Sequence, residues 1–353
     1  MISPMKILAL LFLTACSAFA QTAGISLPSG FTTFTITGTG GSLSSKFSIS
    51  ALALTTDVLW QSASTTSVTA SGTTLTDSTA TWTDNLYNGS NGTHYLEVIS
   101  VGGSASATGV GTIYTISTTT ASTKTLTLAS NFASGVTGTV GYRVRKYWTL
   151  AGVFGAANSA GLQGGTPVSA DQVLLWNGSG YDTHFYQTSG IGGTGWRKAG
   201  AQTTDASGTL ITPTMPVMIK RGQSASISLS GTSAITGTFK GGITTAGIVA
   251  GYNFVANPYG VDMTLTSSGL YTGSSSTGLA PGTSTTGDQV LIWNTTTNAW
   301  DAYYYLTSTG WRKTTDAATD ASTIALATGT GFIIKRGSSG AFTWSMPQHP
   351  TSL

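Results

Sequence analysis

The chain reads DQVLLWN over Asp171–Asn177 and DQVLIWN over Asp288–Asn294. Both stretches are rich in apolar residues, and each is followed by a short polar segment and a second aromatic-rich run. Two such runs separated by turn-forming residues predict a β-hairpin. Because the same hairpin is predicted twice, the chain contains an internal duplication.

Three more blocks recur in the same order and at a nearly constant offset. The pairs are Tyr181–Tyr186 with Trp300–Tyr305, Gly195–Lys198 with Gly310–Lys313, and Ile219–Gly222 with Ile334–Gly337. The repeat is expected to begin earlier, because Tyr147–Gly155 resembles Tyr252–Gly260. A fainter echo of the same pattern lies at Lys46–Leu52.

The composition is typical of an extracellular β protein. Charged residues make up only 8% of the chain, against about 25% in ordinary soluble domains. Thr favours strands because its branched Cβ suits a pleated surface, and the 46 glycines supply turns. A net charge of +3 without any long basic run argues against nucleic-acid binding.

The N-terminus has the form of a secretory signal peptide, with Lys6, an apolar run over Ile7–Leu13, and a small-residue cleavage site at Ala18–Ala20. The predicted location is therefore secreted. An alternative is that Leu13–Ser17 acts as a lipobox, which would lipidate Cys16 and anchor the protein at the cell surface or outer membrane. No later apolar run is long enough to predict a transmembrane helix.

These patterns predict an all-β fold, a sandwich or jelly-roll-like assembly made from the duplicated unit, with a small inserted β-module. The predicted divisions are a signal peptide (1–20), N-terminal strands joining the core (21–60), the small β-module (61–146), repeat copy one (147–251) and repeat copy two (252–353).

A tight hairpin in each copy is expected to place Trp176 near Asp182 and Trp293 near Asp301. Asp171 and Asp182 would then lie at opposite ends of one hairpin, roughly 16 Å apart. Such a separation exceeds that of the two carboxylates of a glycosidase.

Exposed aromatic rings and neighbouring arginines are the candidate ligand-binding residues. The set comprises Trp176, Trp196, Arg197, Trp293, Trp300, Trp311 and Arg312. Tryptophan rings provide flat apolar faces on which sugar rings stack, and arginines beside them would suit an acidic polysaccharide. The alternative is that these rings fill the core, while the arginines keep strand ends soluble and pair with Asp.

Histidines are scattered at His94, His184 and His349, and His184 aligns with Tyr303 in the second copy. The sequence therefore predicts no metal site and no cofactor. It contains no nucleophile elbow, phosphate-binding loop or Cys–His pair, so no catalytic residue is predicted and the chain is expected not to be an enzyme.

The sequence resembles an uncharacterised family of secreted proteins from verrucomicrobial-type bacteria. The resemblance rests on Pro28–Phe31, Asn91–Tyr95, Tyr142–Phe154 and both DQVL blocks. It implies export and a shared architecture, and it transfers no catalytic residue.

Three functions follow from these expectations. The first is an exported, non-enzymatic structural or adhesive protein of the cell envelope or extracellular space, with polysaccharide, other envelope proteins or further copies of itself as partners. The second is a carbohydrate-binding protein that uses exposed Trp and Tyr rings. The third is a secreted hydrolase, which would need carboxylates that converge in a cleft.

Overall fold

The computed structural model is almost entirely β and consists of three modules, which we name the first unit, the barrel and the second unit. It describes residues 29–31, 34–40, 45–52, 54–88, 93–229, 236–239, 244–337 and 340–347. The predicted signal peptide and Cys16 lie outside these residues. The all-β prediction is confirmed.

The first eleven strands belong to the N-terminal part of the first unit and to the barrel. The N-terminal strands are β1 (Ser29–Phe31), β2 (Phe34–Ile36), β3 (Lys46–Ser50) and β4 (Leu54–Thr55). The barrel strands are β5 (Val58–Ser62), β6 (Val68–Ser71), β7 (Thr74–Asp77), β8 (His94–Val101), β9 (Ile113–Thr120), β10 (Thr125–Leu128) and β11 (Gly138–Lys146).

Hydrogen bonding closes the barrel into a ring. Its strands neighbour each other in the order β11, β6, β7, β10, β9 and β8, and β8 pairs back onto β11. Strand β5 adds to β11 with Val58 opposite Arg145, so the two ends of the barrel segment lie side by side. The interior is filled by alternating residues such as Val68, Leu75 and Leu126, all fully buried. A closed sheet has no unpaired edge between its ring strands.

The rest of the chain completes the first unit and forms the second. The first unit continues with β12 (Trp148–Thr149), α1 (Leu150–Phe154), β13 (Gln172–Trp176), β14 (Tyr181–Gln187), β15 (Gly195–Lys198), β16 (Leu210–Ile211), β17 (Val217–Arg221), β18 (Ile227–Leu229) and β19 (Thr236–Phe239). The second unit contains β20 (Thr244–Ile248), β21 (Gly251–Ala256), β22 (Met263–Thr264), β23 (Gln289–Asn294), β24 (Ala299–Leu306), β25 (Gly310–Lys313), β26 (Asp316–Asp320), β27 (Ala325–Leu326), β28 (Gly331–Arg336) and β29 (Phe342–Met346).

Each unit has one main antiparallel sheet with the same strand order. The first unit has β15, β14, β13, β17 and β3, and the second has β25, β24, β23, β28 and β21, with β26 added at the edge. Smaller strand pairs also correspond, because β2 pairs with β18 as β20 pairs with β29, and β12 pairs with β16 as β22 pairs with β27. The first unit is therefore assembled from strands on both sides of the barrel.

This topology corrects the predicted start of the repeat. Strand β3 pairs with β17 in the position that β21 occupies beside β28, so Lys46–Ser50 is the counterpart of β21. The equivalence predicted between Tyr147–Gly155 and Tyr252–Gly260 is wrong, because Trp148 lies in β12, the counterpart of β22. The fainter echo at Lys46–Leu52 marks the true correspondence.

The barrel lies within one connection of the first unit. In the second unit, Asn257–Asp262 links β21 directly to β22. In the first unit, the stretch Leu52–Asp57 has the same length and also ends in Asp, and the barrel then intervenes before Trp148. The predicted small β-module, 61–146, falls within this barrel.

The hairpins have a different register from the one expected. Trp176 lies opposite Tyr181 and Trp293 lies opposite Trp300, rather than opposite Asp182 and Asp301. In the first hairpin the side-chain oxygen of Asn177 accepts hydrogen bonds from the backbone N–H groups of Ser179 and Gly180, so Asn177 itself belongs to the turn. A slip of one residue exchanges the two faces of a strand.

One face of each main sheet packs on the core of its own unit, and the opposite faces of the two sheets meet. The ring of Phe47 in the first unit lies 6.1 Å from Trp293 in the second, and Tyr181 lies 5.7 Å from Phe254. The backbones approach closely at Gly331, where an added Cβ would lie 2.3 Å from the Cβ of Pro216. The two units therefore form a sandwich.

Candidate functional site

A buried ion pair holds the start of the DQVL strand in each unit. In the first unit, the carboxylate of Asp171 contacts the guanidinium of Arg221 at the end of β17. The same carboxylate accepts hydrogen bonds from the backbone N–H groups of Gln163, at 2.8 Å, and Gly222, at 3.3 Å. Both charged side chains are less than a tenth exposed. A buried charge requires such partners, because its desolvation is otherwise costly.

The second unit repeats this arrangement with more contacts. Asp288 lies 2.8 Å from Arg336 and accepts the backbone N–H groups of Ala280 and Gly337, both at 2.8 Å. The guanidinium also donates to backbone carbonyl oxygens, and it lies over the ring of Phe342, 4.6 Å from the centroid. The repeated Asp and Arg residues therefore join neighbouring strands and loops of the scaffold.

Two of the predicted ligand-binding rings are core residues. Trp196 is 1% exposed and Trp311 is 2% exposed, and each packs edge to face against a tyrosine of the neighbouring strand. The indole N–H of Trp196 donates to the carbonyl oxygen of Gly155 at 2.8 Å, which ties β15 to the end of α1. The prediction that Trp196 and Trp311 present open faces is wrong, because alternation along β15 and β25 points them inward.

The two predicted arginines are also turned into the structure. Arg197 and Arg312 are less than a tenth exposed. They contact Asp205 at 3.4 Å and Asp320 at 3.1 Å, and each donates to the carbonyl oxygen of the preceding tryptophan. Their predicted role in an exposed basic patch is wrong, because these contacts hold the guanidinium groups against the loop after β15 and against strand β26.

The lysines of the same blocks form a matched pair of ion pairs at the surface. Lys198 lies 2.8 Å from Asp182, and Lys313 lies 2.8 Å from Asp301. Hydrogen bonds from these lysines are the main cause that lowers the pKa of each aspartate below its ordinary value. Exposed pairs of this kind contribute little to stability.

Trp176, Trp293 and Trp300 are half-buried rather than enclosed. Trp293 packs edge to face against Trp300, with ring centroids 5.2 Å apart, and also contacts Phe47 of the first unit. Its indole nitrogen is buried and has no hydrogen-bond partner among the described residues. Trp176 packs against Tyr181, with centroids 5.0 Å apart, and the rest of its ring borders a cleft.

This cleft lies where the barrel and both units meet, and its volume is about 390 Å³. The barrel contributes Thr112, the first unit contributes Trp176 and Met215, and the second unit contributes Thr245 and Phe254. Apart from Trp176, these residues could not be predicted from the sequence, because Thr is common throughout the chain and the lining comes from three distant segments. We refer to this space as the junction cleft.

A second cavity, of about 550 Å³, adjoins the junction cleft along the seam between the barrel and the second unit. Thr112, Ala133, Thr245 and Thr343 line both spaces. The other residues that line this second cavity include several serines and threonines, among them Ser276. We call this second cavity the seam groove.

His184 occupies a buried position on β14 and is 2% exposed. Its Nδ1 atom has no hydrogen-bond partner within the described part of the chain. Burial lowers the pKa of this imidazole below its ordinary value, although the nearby carboxylate of Asp182 acts in the opposite direction. Among the described residues, no group of three or more His, Cys, Asp or Glu side chains is arranged to hold a metal ion.

The described part of the chain contains no helix long and apolar enough to span a membrane. Comparisons with protein-family models, with curated proteins and with solved structures find no match for this chain.

Proposed function

We propose that the chain is an exported, non-enzymatic structural or adhesive protein of the cell envelope or extracellular space. The observation that carries this proposal is the use of the duplicated charged residues inside the scaffold. Asp171 with Arg221 and Asp288 with Arg336 hold corresponding strands and loops in the two units. The strongest signal in the sequence therefore concerns the construction of a repeated β scaffold.

The surface composition supports the same proposal. With 8% charged residues, the chain relies on Thr, Ser, Asn and Gly for its polar surface. Hydroxyl and amide groups form hydrogen bonds with neutral surfaces and are insensitive to salt, whereas exposed ion pairs are screened. Such a surface suits adhesion outside the cell, where ionic strength and pH vary.

Cell fractionation tests the export part of the proposal. The tagged full chain would be produced in a Gram-negative bacterial host and followed in the cytoplasm, the envelope and the medium, with and without external protease. We expect processed protein in the envelope or the medium. Retention of unprocessed protein in the cytoplasm would contradict the proposal. A Cys16→Ala variant separates the two proposed routes, because only lipidation at Cys16 would make envelope retention depend on it.

An adhesion assay tests the structural part. Cells that display the chain would be compared with cells that display the Asp171→Ala/Asp288→Ala variant, with surface amounts matched by antibody binding. We expect attachment of cells to each other or to a polysaccharide-coated surface to require the folded scaffold. If cells without the protein attached as well as cells that display it, an adhesive role would be contradicted.

Carbohydrate binding is the second candidate function, and the observation that favours it is the half-buried ring of Trp176 at the junction cleft. Trp293 and Trp300 pack against other rings and line neither the junction cleft nor the seam groove, so they are not part of this candidate site. A secreted hydrolase is the third candidate. The residues that line the junction cleft and the seam groove include no Asp, Glu or His, so no acid–base pair lies in either space.

A further inference from the structure

The junction cleft breaks the pseudo-symmetry between the two units. Trp176 in β13 corresponds to Trp293 in β23, and the two residues have opposite surroundings. Trp293 is covered by Phe47 of the other unit, whereas Trp176 borders the cleft. One of two equivalent corners of the sandwich is therefore closed and the other is open.

Direct contacts between the units close the corner at Trp293. The backbone N–H of Ala51 donates to the carbonyl oxygen of Gly329 at 2.7 Å, and the hydroxyl of Ser50 donates to the same oxygen at 3.2 Å. At the other corner, Thr112 and Ile113 of the barrel form a wall, and the hydroxyl of Thr112 accepts a long hydrogen bond of 3.4 Å from Thr245. The inserted barrel thus builds one side of the open corner.

The chemistry of the open corner is neutral and rich in hydroxyl groups. None of the residues that line the junction cleft or the seam groove carries a charge. The side-chain hydroxyls of Thr212, Thr214 and Thr343 form no hydrogen bond within the described residues, and neither does the indole N–H of Trp176. Unpaired donors and acceptors beside an aromatic ring suit a ligand that offers both hydroxyl groups and apolar C–H faces.

The shape of the site indicates an elongated ligand. The junction cleft alone has the volume of a small-molecule site. The seam groove adjoins it, since Thr112, Ala133, Thr245 and Thr343 line both, and the two spaces together extend from Trp176 along the barrel to Ser276. A chain of several similar polar rings would follow this path, with one ring stacked at the tryptophan end.

We propose that the seam groove and junction cleft bind a linear, uncharged polysaccharide, with one sugar ring stacked on Trp176 and the threonine hydroxyls paired to sugar hydroxyls. This inference deepens the proposed adhesive function, since it names the surface and the class of molecule to which the protein adheres. Sugar rings match the groove because they combine apolar C–H faces with many neutral donors and acceptors. An anionic polysaccharide is disfavoured, because its carboxylates would lose water without meeting a cation.

Titration of the purified full chain with neutral and charged oligosaccharides tests this proposal. The probes are cello-, manno- and xylo-oligosaccharides, with an oligogalacturonate as the charged comparison, followed by calorimetry and tryptophan fluorescence. We expect at least one neutral series to bind, more tightly with increasing length, and the oligogalacturonate not to bind. Preference for the charged probe would overturn the proposal.

Matched tryptophan variants locate the site. Trp176→Ala is expected to raise the Kd by about tenfold or more, in keeping with the loss of a stacked aromatic face. Trp293→Ala removes the pseudo-equivalent ring outside the groove and is expected to leave the Kd unchanged. Equal effects of the two variants would overturn the assignment of the groove, while carbohydrate binding elsewhere on the protein would stand.

A second pair of variants guards against a general loss of folding. Thr212→Val/Thr343→Val removes two hydroxyls that make no hydrogen bond in the described structure, so stability is expected to stay the same while the Kd rises severalfold. Thr296→Val, in an exposed hairpin turn, is the control and is expected to have no effect. If the native chain binds none of the neutral probes but still supports cell attachment, the groove proposal fails and the adhesive proposal survives.

Discussion

The two units share their strand order and their buried Asp–Arg pairs, and they differ most in one connection. The second unit passes from β21 to β22 through Asn257–Asp262, whereas the first unit passes through Leu52–Asp57 and then the entire barrel. The barrel leaves the surrounding strands in place because its own ends are paired, with Val58 opposite Arg145. The comparison shows that a repeated scaffold accepts a whole module where the chain leaves and returns at one point.

Removal of the barrel is the strongest test of this comparison. Deletion of residues 58–147 joins Asp57 to Trp148 and gives the first unit a connection equal in length to that of the second. We expect the shortened chain to fold cooperatively, because the second unit already shows that this connection suffices. Circular dichroism and urea denaturation would follow folding, and oligosaccharide titration is expected to show loss of binding with the barrel wall gone.

A shorter joint provides the matched control for the deletion. Removal of residues 56–147 shortens the connection relative to Asn257–Asp262 and is expected to strain β4 and β12 and reduce stability. The isolated segment 58–147 is expected to fold by itself, because its ring of strands is closed around its own core. If both deletions unfolded equally, the equivalence between Leu52–Asp57 and Asn257–Asp262 would be disproved.

The buried ion pairs carry the next largest effect. We expect Asp288→Ala to lower the free energy of unfolding by about 3–5 kcal/mol, because Arg336 would keep its charge in a buried site without a counterion. Asp171→Ala is expected to cost somewhat less, since the Arg221 side chain is 7% exposed and water can partly solvate the charge left behind, whereas Arg336 is fully enclosed. Urea denaturation of the two variants gives both values.

Two further variants separate loss of charge balance from general damage. Asp288→Ala/Arg336→Met removes both charges and should recover part of the lost stability, because an apolar pair avoids the desolvation cost. Asp57→Ala replaces an exposed aspartate and is expected to change stability by less than about 0.5 kcal/mol. A large loss of stability in the Asp57 variant would show that removal of an aspartate destabilises the chain even outside the buried pairs.

Corresponding core tryptophans test a smaller difference between the units. Trp196 donates a hydrogen bond to Gly155, and Trp311 has no such bond within the described residues. We expect Trp196→Phe to lower the free energy of unfolding by about 2–3 kcal/mol and Trp311→Phe by about 1–2 kcal/mol, because only the first also loses a side-chain hydrogen bond. Equal losses in denaturation experiments would mean that this hydrogen bond adds nothing measurable.

The sequence predicted the strands of the duplicated unit because four blocks retain both their order and their apolar pattern. It misplaced the start of the repeat, since the barrel shifts Lys46–Ser50 far from the position expected from the later blocks. Only strand pairing shows which segment of the first unit corresponds to β21, and pairing depends on contacts between distant segments. The predicted register of the first hairpin was wrong for a local reason, because the hydrogen bonds that Asn177 accepts from Ser179 and Gly180 make it part of the turn.

The candidate site was predictable only in part. Trp176 was singled out because it is aromatic, but the same criterion also selected the buried rings of Trp196 and Trp311. Alternation along a strand does not say which face is covered when both faces pack, as they do in this sandwich. The threonines of the junction cleft could not be singled out, because hydroxyl residues occur throughout the chain and only the fold brings Thr112, Thr212 and Thr343 together.

The smallest expected difference between the units is a dependence on pH. His184 in the first unit replaces Tyr303 in the second, and burial lowers the pKa of this imidazole below its ordinary value of 6.5. As the pH falls below that value, the unfolded chain takes up the proton first, so the stability that neutral His184 supplies at higher pH is lost towards the lowered pKa. We expect the free energy of unfolding of the native chain to fall over this window by at most about 1.4 kcal/mol per pH unit from this group.

Urea denaturation at several pH values tests this expectation. His184→Tyr should make the free energy of unfolding less dependent on pH, and Tyr303→His should make it more dependent on pH. Because His94 is unchanged in both variants, identical profiles would mean that His184 titrates alike in the folded and unfolded chains.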